Sequence, residues 1–202
     1  MRRALAAGFG AAVLALTACS ASQASTPGAG TPAARPSASP SATPSVRYPL
    51  GLQRYPAAAR RPLPSLSGAT LGGSQASTGQ LRGHVVVLNV WASWCVPCHE
   101  ESRVLAALSR GRWRTVRWLG MDENDEPGPA RTLMREAGYP PDTSYPTILD
   151  DGSRLKDLAA WLPPALPGTL VVDAQGRVAA RVVGAVSAGQ LEPVLAELSV
   201  SS

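Results

Sequence analysis

The sequence predicts an α/β fold, a three-layer sandwich whose mixed central sheet is flanked by helices, and three observations carry that expectation. Val85-Val86-Val87-Leu88-Asn89-Val90-Trp91 is a nearly continuous β-branched and apolar run, the mark of a strand buried on both faces of a parallel or mixed sheet. Helical spacing follows it, from residue 97 to about 110. Further on, 169–173 and 178–183 are strand-like runs separated by Ala174-Gln175-Gly176-Arg177, which reads as an antiparallel hairpin.

In chain order, Met1-Arg2-Arg3 is a positive start and residues 4–18 form a fifteen-residue apolar stretch. That is shorter than the roughly 20 residues a bilayer span needs, so 1–18 reads as a signal peptide. Its end, Leu16-Thr17-Ala18-Cys19, resembles the lipobox of bacterial lipoproteins. The resemblance implies a lipidated Cys19 and a chain anchored to the outside of a bacterial membrane, more than one acyl chain being enough for stable attachment. From Ser20 to about Pro64 the composition is Ala, Ser, Thr, Pro and Gly with scattered Arg and no periodicity, so 19–63 reads as a disordered tether. As a flexible coil it reaches on the order of 35 to 40 Å. The five Arg between 35 and 61 suit solubility, or attraction to anionic headgroups.

The domain is then 64–202. After the 85–91 strand and the first helix come a second strand at 115–121 and a second helix, opened by Pro127-Gly128-Pro129, running to about Ala137 and closed by Gly138. The hairpin follows. Ser187 caps a last amphipathic helix through Leu191, Val194, Leu195 and Leu198. Strand, helix, strand, helix, hairpin, helix layers helices on a sheet.

Charge divides the chain the same way. The formal net charge is +5, yet residues 64–202 hold eleven Arg and one Lys against all fourteen carboxylates, a net of −2. A mildly acidic domain is not a nucleic-acid binder, and no such partner is expected. Three cysteines are too few for a disulfide scaffold or a four-thiolate zinc site.

Trp94-Cys95-Val96-Pro97-Cys98 lies where the buried strand ends and a helix begins, the context in which Cys-x-x-Cys reads as redox-active. The unpaired N–H groups and partial positive charge of a helix amino terminus stabilise a thiolate at Cys95. Cysteines three apart across that turn can close a disulfide. On a helical wheel at about 100° per residue, with Cys98 at zero, Leu105 falls near −20° and Leu108 near −80°, while Glu101 falls near −60°, inside the apolar stripe. A carboxyl group on that face, beside a thiol, invites proton transfer because desolvation raises its pKa toward neutrality.

The run Leu88-Asn89-Val90-Trp91-Ala92-Ser93-Trp94-Cys95-Val96-Pro97-Cys98-His99-Glu100-Glu101 resembles the signature of the TlpA/ResA/DsbE-like thiol-disulfide oxidoreductases, and the likeness extends from about residue 63 to the carboxy terminus. The resemblance implies a thioredoxin-like fold and catalysis by Cys95 and Cys98. It implies that Glu101 serves the buried thiol in acid–base exchange. Leu166-Pro167, just before the 169–173 run, matches the cis-proline facing the disulfide, whereas Tyr145-Pro146 matches the family's Tyr-Pro before Leu-x-Asp. Asn89 stands where cytoplasmic thioredoxins carry a buried Asp. Trp94 and the backbone of Leu166 would contact an extended substrate strand, since proline cannot donate and compete. The partners implied are protein disulfides, including apocytochrome c cysteines, and a membrane thiol electron carrier; the chain is expected to be monomeric, without cofactor. Two segments depart from the family pattern: Ser102-Arg103 after the glutamate, and Trp161-Leu162-Pro163-Pro164 before the cis-proline, where a bulkier rim to the substrate site or core packing would follow.

Other readings of the same residues remain. Cys95-x-x-Cys98-His99 also fits c-type haem attachment, with Met121 or Met134 as a sixth ligand. A zinc site would need His84 or a carboxylate as a distant ligand. A redox-inert binding module and a disulfide-forming oxidant of the same fold complete the alternatives.

Overall fold

The structure is a computed structural model, which describes residues 48–139 and 145–200. Among these, eight strands and three α-helices follow in the order β1 Gly51–Arg54, β2 Ser67–Ala69, β3 Gln75–Ser77, β4 Val86–Trp91, α1 Val96–Arg110, β5 Arg117–Glu123, α2 Pro127–Ala137, β6 Thr147–Asp150, β7 Gly168–Val172, β8 Val178–Val183 and α3 Ala188–Val200. Six strands make one mixed sheet, β1-β8-β7-β4-β5-β6, while β2 and β3 form a separate ribbon. β4, β5 and β6 are parallel, and β4, β7, β8 and β1 pair antiparallel in turn.

β4 is central and buried along its whole length. Period-two alternation sends Val87 and Trp91 into the cluster under the helices, and Val86, Leu88 and Val90 into a second cluster on the other face. All three helices cover the first face: Leu105 and Leu108 of α1, Leu133 of α2, and Leu191 and Leu195 of α3 share that cluster. The third layer is built from short pieces, Ala76 of β3 together with Leu155, Leu158, Trp161 and Leu162 around a 3₁₀ turn at Leu155–Leu158. α2 ends as its sequence predicts, with Gly138 left-handed at φ 88° and its N–H bonded to the carbonyls of Arg135 and Met134.

The domain starts earlier than the composition suggests. The segments expected to be a signal peptide and a tether, with Cys19 between them, lie outside the described residues as far as residue 47, but 48–63 belongs to the fold. Gly51–Arg54 pairs with β8 from Gly51 opposite Val183 to Arg54 opposite Ala180. Three of the arginines assigned to a tether are engaged: Arg54 pairs with Glu197, Arg60 with Asp173 and Glu197 at 3.4 Å each, and the Arg61 guanidinium lies 5.3 Å above the Trp161 ring. Gly-Leu-Gln-Arg is too short to announce a strand: Leu52 is its one apolar side chain, packed at the margin of the core, and the edge is held chiefly by its pairing with β8. Tyr145-Pro146 leads into a strand of the main sheet, β6, which completes its far edge.

Candidate active site

Ala92-Ser93-Trp94 joins β4 to α1, and Cys95 is the N-cap of that helix, extended at φ −88° and ψ 103°. Pro97 occupies the first turn, where its missing N–H deprives no intrahelical acceptor. The loop is fastened from the end of β5. Asp125 accepts the Ser93 N–H and, at 2.8 Å, the Ser93 hydroxyl; the Trp94 indole donates to the Asn124 carbonyl at 3.3 Å; the His99 ring lies 2.7 Å from the Ser93 carbonyl. Cys95 and Cys98 are disulfide-bonded with Cα atoms 5.3 Å apart. Cys95 is 5% and Cys98 2% exposed, beside a Trp94 that is 60% exposed.

The wheel placed Glu101 under the helix, and it is there, 2% exposed beside a Ser102 that does not lift it outward. Its carboxylate accepts from three directions: Asn89 Nδ2 of β4 and, at 3.2 Å, the Thr169 hydroxyl of β7 reach Oε1, and the Val186 N–H reaches Oε2 at 3.2 Å. Burial pushes its pKa up to about 7 against the opposing pull of the Val186, Thr169 and Asn89 hydrogen bonds. A carboxyl group that would ionise near 4.5 in water thus exchanges its proton near neutrality. Beside Cys98 a cavity of about 10 Å³ opens between Asn89, Ser102, Tyr139 and Tyr145, at the threshold for one water.

The Leu166–Pro167 peptide is cis. Val90 pairs with Gly168, so Pro167 lies beside the end of β4, from which the cysteine loop departs. Leu166 is half-buried and touches both core clusters. Trp161 is no rim to this site: it is buried in the cluster on the opposite sheet face, with its carbonyl bound by Arg181 at 2.6 Å. The haem alternative loses one candidate ligand in the same way, Met121 being packed on that far face, while Met134 borders the cavity beside Cys98. His84 precedes β4 and so stands at the opposite end of that strand from Cys95.

Sequence reasoning gave no role to Asp122, which is 1% exposed in β5. In register with Trp91, it faces the helical layer, and neither of its oxygens has a hydrogen-bond partner among the described residues. Burial, reinforced by the negative charge of Asp125, pushes its pKa up to about 8. The sequence shows Asp122 only as the first of the acidic residues Asp122, Glu123, Asp125 and Glu126 after an apolar run, which gives no sign that it alone turns inward.

A redoxin family model matches residues 52–198. A "Thiol:disulfide interchange protein DsbE" of Haemophilus influenzae is 31% identical over 151 residues, covering 71% of this chain and 78% of that protein. Among solved structures, a DsbF homologue from Corynebacterium diphtheriae superposes with a TM-score of 0.67 at 26% identity, covering 77% of this chain and 96% of its own. A secreted thiol-disulfide isomerase from Corynebacterium glutamicum gives 0.65 at 27%, covering 77% and 94%. With a mixed sheet, a disulfide at the amino terminus of α1 and a cis-proline beside it, the chain belongs to the redoxin family and is a thioredoxin-fold thiol-disulfide oxidoreductase.

Proposed function

We propose that this protein reduces protein disulfides outside the cytoplasm while tethered to a membrane, using Cys95 and Cys98 as its dithiol. The observation that carries the reading is Glu101, a buried carboxyl group on the same face of α1 as Cys98 whose proton affinity is brought close to neutrality.

The cycle starts with the dithiol. The Cys95 thiolate, favoured by the helix amino terminus, attacks one substrate sulfur; the substrate S–S bond opens and its first thiolate leaves, taking a proton from solvent. The Cys98 thiol then gives its proton to the Glu101 carboxylate and attacks Sγ of Cys95. The mixed disulfide breaks, the second substrate thiolate leaves, and Cys95–Cys98 is re-formed, two electrons having passed to the substrate. A membrane thiol carrier returns them. Leu166, preceding cis-Pro167, offers main-chain groups to the substrate strand, and Trp94 offers an apolar surface at its edge. Supported by the resemblance to the TlpA/ResA/DsbE-like proteins, the substrate class includes apocytochrome c cysteines. The signal peptide and Cys19 supply export and the lipid anchor.

Equilibration with glutathione tests the direction. A reductant should have a Cys95–Cys98 potential more negative than about −200 mV, while a value near that of strong oxidants, about −120 mV, would make it a disulfide-forming enzyme. Fractionation tests the anchor: Cys19→Ala should move the protein from membranes to the soluble fraction with its exchange activity unchanged, and a protein still membrane-bound would remove the lipid from the proposal.

A further inference from the structure

Thr169, Asn89 and Gly120 stand in register on β7, β4 and β5, a row of three across the middle of the sheet under α1. Gly120 leaves a gap that Thr147 and Tyr145 fill together; a Cβ there would collide with the Thr147 hydroxyl and come within 2.9 Å of the Tyr145 ring. So housed, and stacked on Tyr139 with ring centroids 4.5 Å apart, the Tyr145 phenol donates to Asn89 Oδ1 at 3.1 Å. The other end of the same amide points the opposite way. Asn89 Nδ2 donates to Glu101 Oε1 and lies 3.1 Å from the Thr169 hydroxyl and 3.4 Å from the Gly168 carbonyl.

The arrangement decides which way the amide faces. With Nδ2 toward Glu101, its hydrogens meet acceptors and Oδ1 meets the Tyr145 hydroxyl. Turned over, Oδ1 would face the Gly168 carbonyl and, whenever Glu101 is ionised, a carboxylate, two acceptors with no proton between them. Tyr145 is the donor that anchors the carbonyl end. We propose that Tyr145 is a positioning residue for disulfide exchange: through Asn89 it aims a hydrogen-bond donor at Glu101 and so sets how readily that carboxyl group takes the Cys98 proton. The inference rests on the proton role of Glu101 proposed above.

The groups around Glu101 leave three hydrogen bonds to act on its proton affinity, from the Val186 N–H, the Thr169 hydroxyl and the Asn89 amide. No charged side chain pairs with Glu101 among the described residues. From its own helix the neighbour is Cys98; from the segments after α2 and before β6 come Tyr139 and Tyr145, both held neutral by burial; β7 contributes the Thr169 hydroxyl and the loop before α3 the Val186 N–H.

Tyr145→Phe removes the hydroxyl and keeps the ring. The test is the pH dependence of disulfide reduction by the reduced full-length protein, with insulin as substrate, for wild type, Tyr145→Phe, Glu101→Gln and the double variant. With its amide partner less firmly aimed, the Glu101 carboxylate loses stabilisation. Its proton affinity should rise about 2- to 10-fold, moving the acid limb of the profile to higher pH. In the Glu101→Gln background, Tyr145→Phe should move nothing. An unshifted limb in Tyr145→Phe, with Glu101→Gln still altering the profile, would make Tyr145 packing alone and leave the Glu101 reading intact. An equal shift in both backgrounds would also overturn the proposal. Profiles of wild type and Glu101→Gln that coincide would remove the Glu101 reading itself, and the Tyr145 role with it. Should Tyr145→Phe fail to fold, Asn89→Leu removes the amide through which Tyr145 is proposed to act, and an unshifted limb in that variant, with Glu101→Gln still altering the profile, would overturn the proposal.

Discussion

Cys98→Ser should accumulate a stable mixed disulfide between Cys95 and substrate, and Cys95→Ser should show neither that adduct nor any exchange. The reason lies in the first turn of α1. Cys95 is its N-cap, where the positive end of the helix acts on the sulfur, and it follows the exposed Trp94; Cys98 is three residues on, and although both cysteines lie in the cluster under the helices, Cys98 is the more deeply buried. A serine at 98 cannot attack the mixed disulfide, so the reaction halts at its midpoint. Non-reducing electrophoresis with mass spectrometry of the adduct reads the result. Adducts found with Cys95→Ser and absent with Cys98→Ser would reverse the two roles.

Glu101→Gln should slow exchange by about 10² to 10⁴-fold, the range general acid–base catalysis supplies, and should remove a limb from the pH–rate profile. In the reducing direction the carboxylate is the active form, so wild-type rate rises with pH through about 7, and the glutamine variant should lack that rise. Glutamine keeps the shape of the side chain but turns one acceptor into a donor, so a thermal melt of the variant separates loss of the proton from loss of the fold. Glu100→Gln is the contrast: that residue is exposed on the other side of the helix, and neither its rate nor its profile should change. A Glu101→Gln profile identical to wild type would return the proton to water.

The parts of this site that the sequence disclosed are those with a short-range signature. A run of six apolar residues interrupted only by Asn89 announces β4, and the spacing of Cys98, Glu101, Leu105 and Leu108 puts a carboxyl group under α1, because a wheel needs only one helix. The proton network around Glu101 has no such signature. Thr169 is 68 residues from it, Val186 is 85, and Tyr145 is 56 from Asn89; only the pairing of β4 with its neighbours brings them together, and Val186 contributes a backbone N–H that any residue but proline would offer. β1 was missed for a related reason, its four residues being held by β8 rather than by their own pattern. Asn89 was the visible clue, a lone amide in an apolar run, and the resemblance marked its position without giving its partners.

Asp122 and Glu101 have a consequence for the molecule as a whole. Folded, they ionise near 8 and 7; in water they would do so near 3.8 and 4.5. Between those limits they hold protons that an unfolded chain gives up, as does Glu123, which burial and the neighbouring Asp150 push up to about 7, so these groups take up protons on folding. The sign is opposite to that of a salt-bridged carboxylate: this contribution to stability is complete below about pH 4 and drains away as pH rises through 7 and 8. For Glu101 alone the difference is roughly 3 kcal/mol, a large share of the 5 to 15 kcal/mol that holds a typical domain together. Through these two groups the fold gains on the acid side, where Glu101 keeps its proton and the reducing step is slow, and gives up that share of its stability as pH rises into the range where the carboxylate becomes available to Cys98; Asp173, held low against the effect of burial by Arg177 and Arg60, works in the opposite sense.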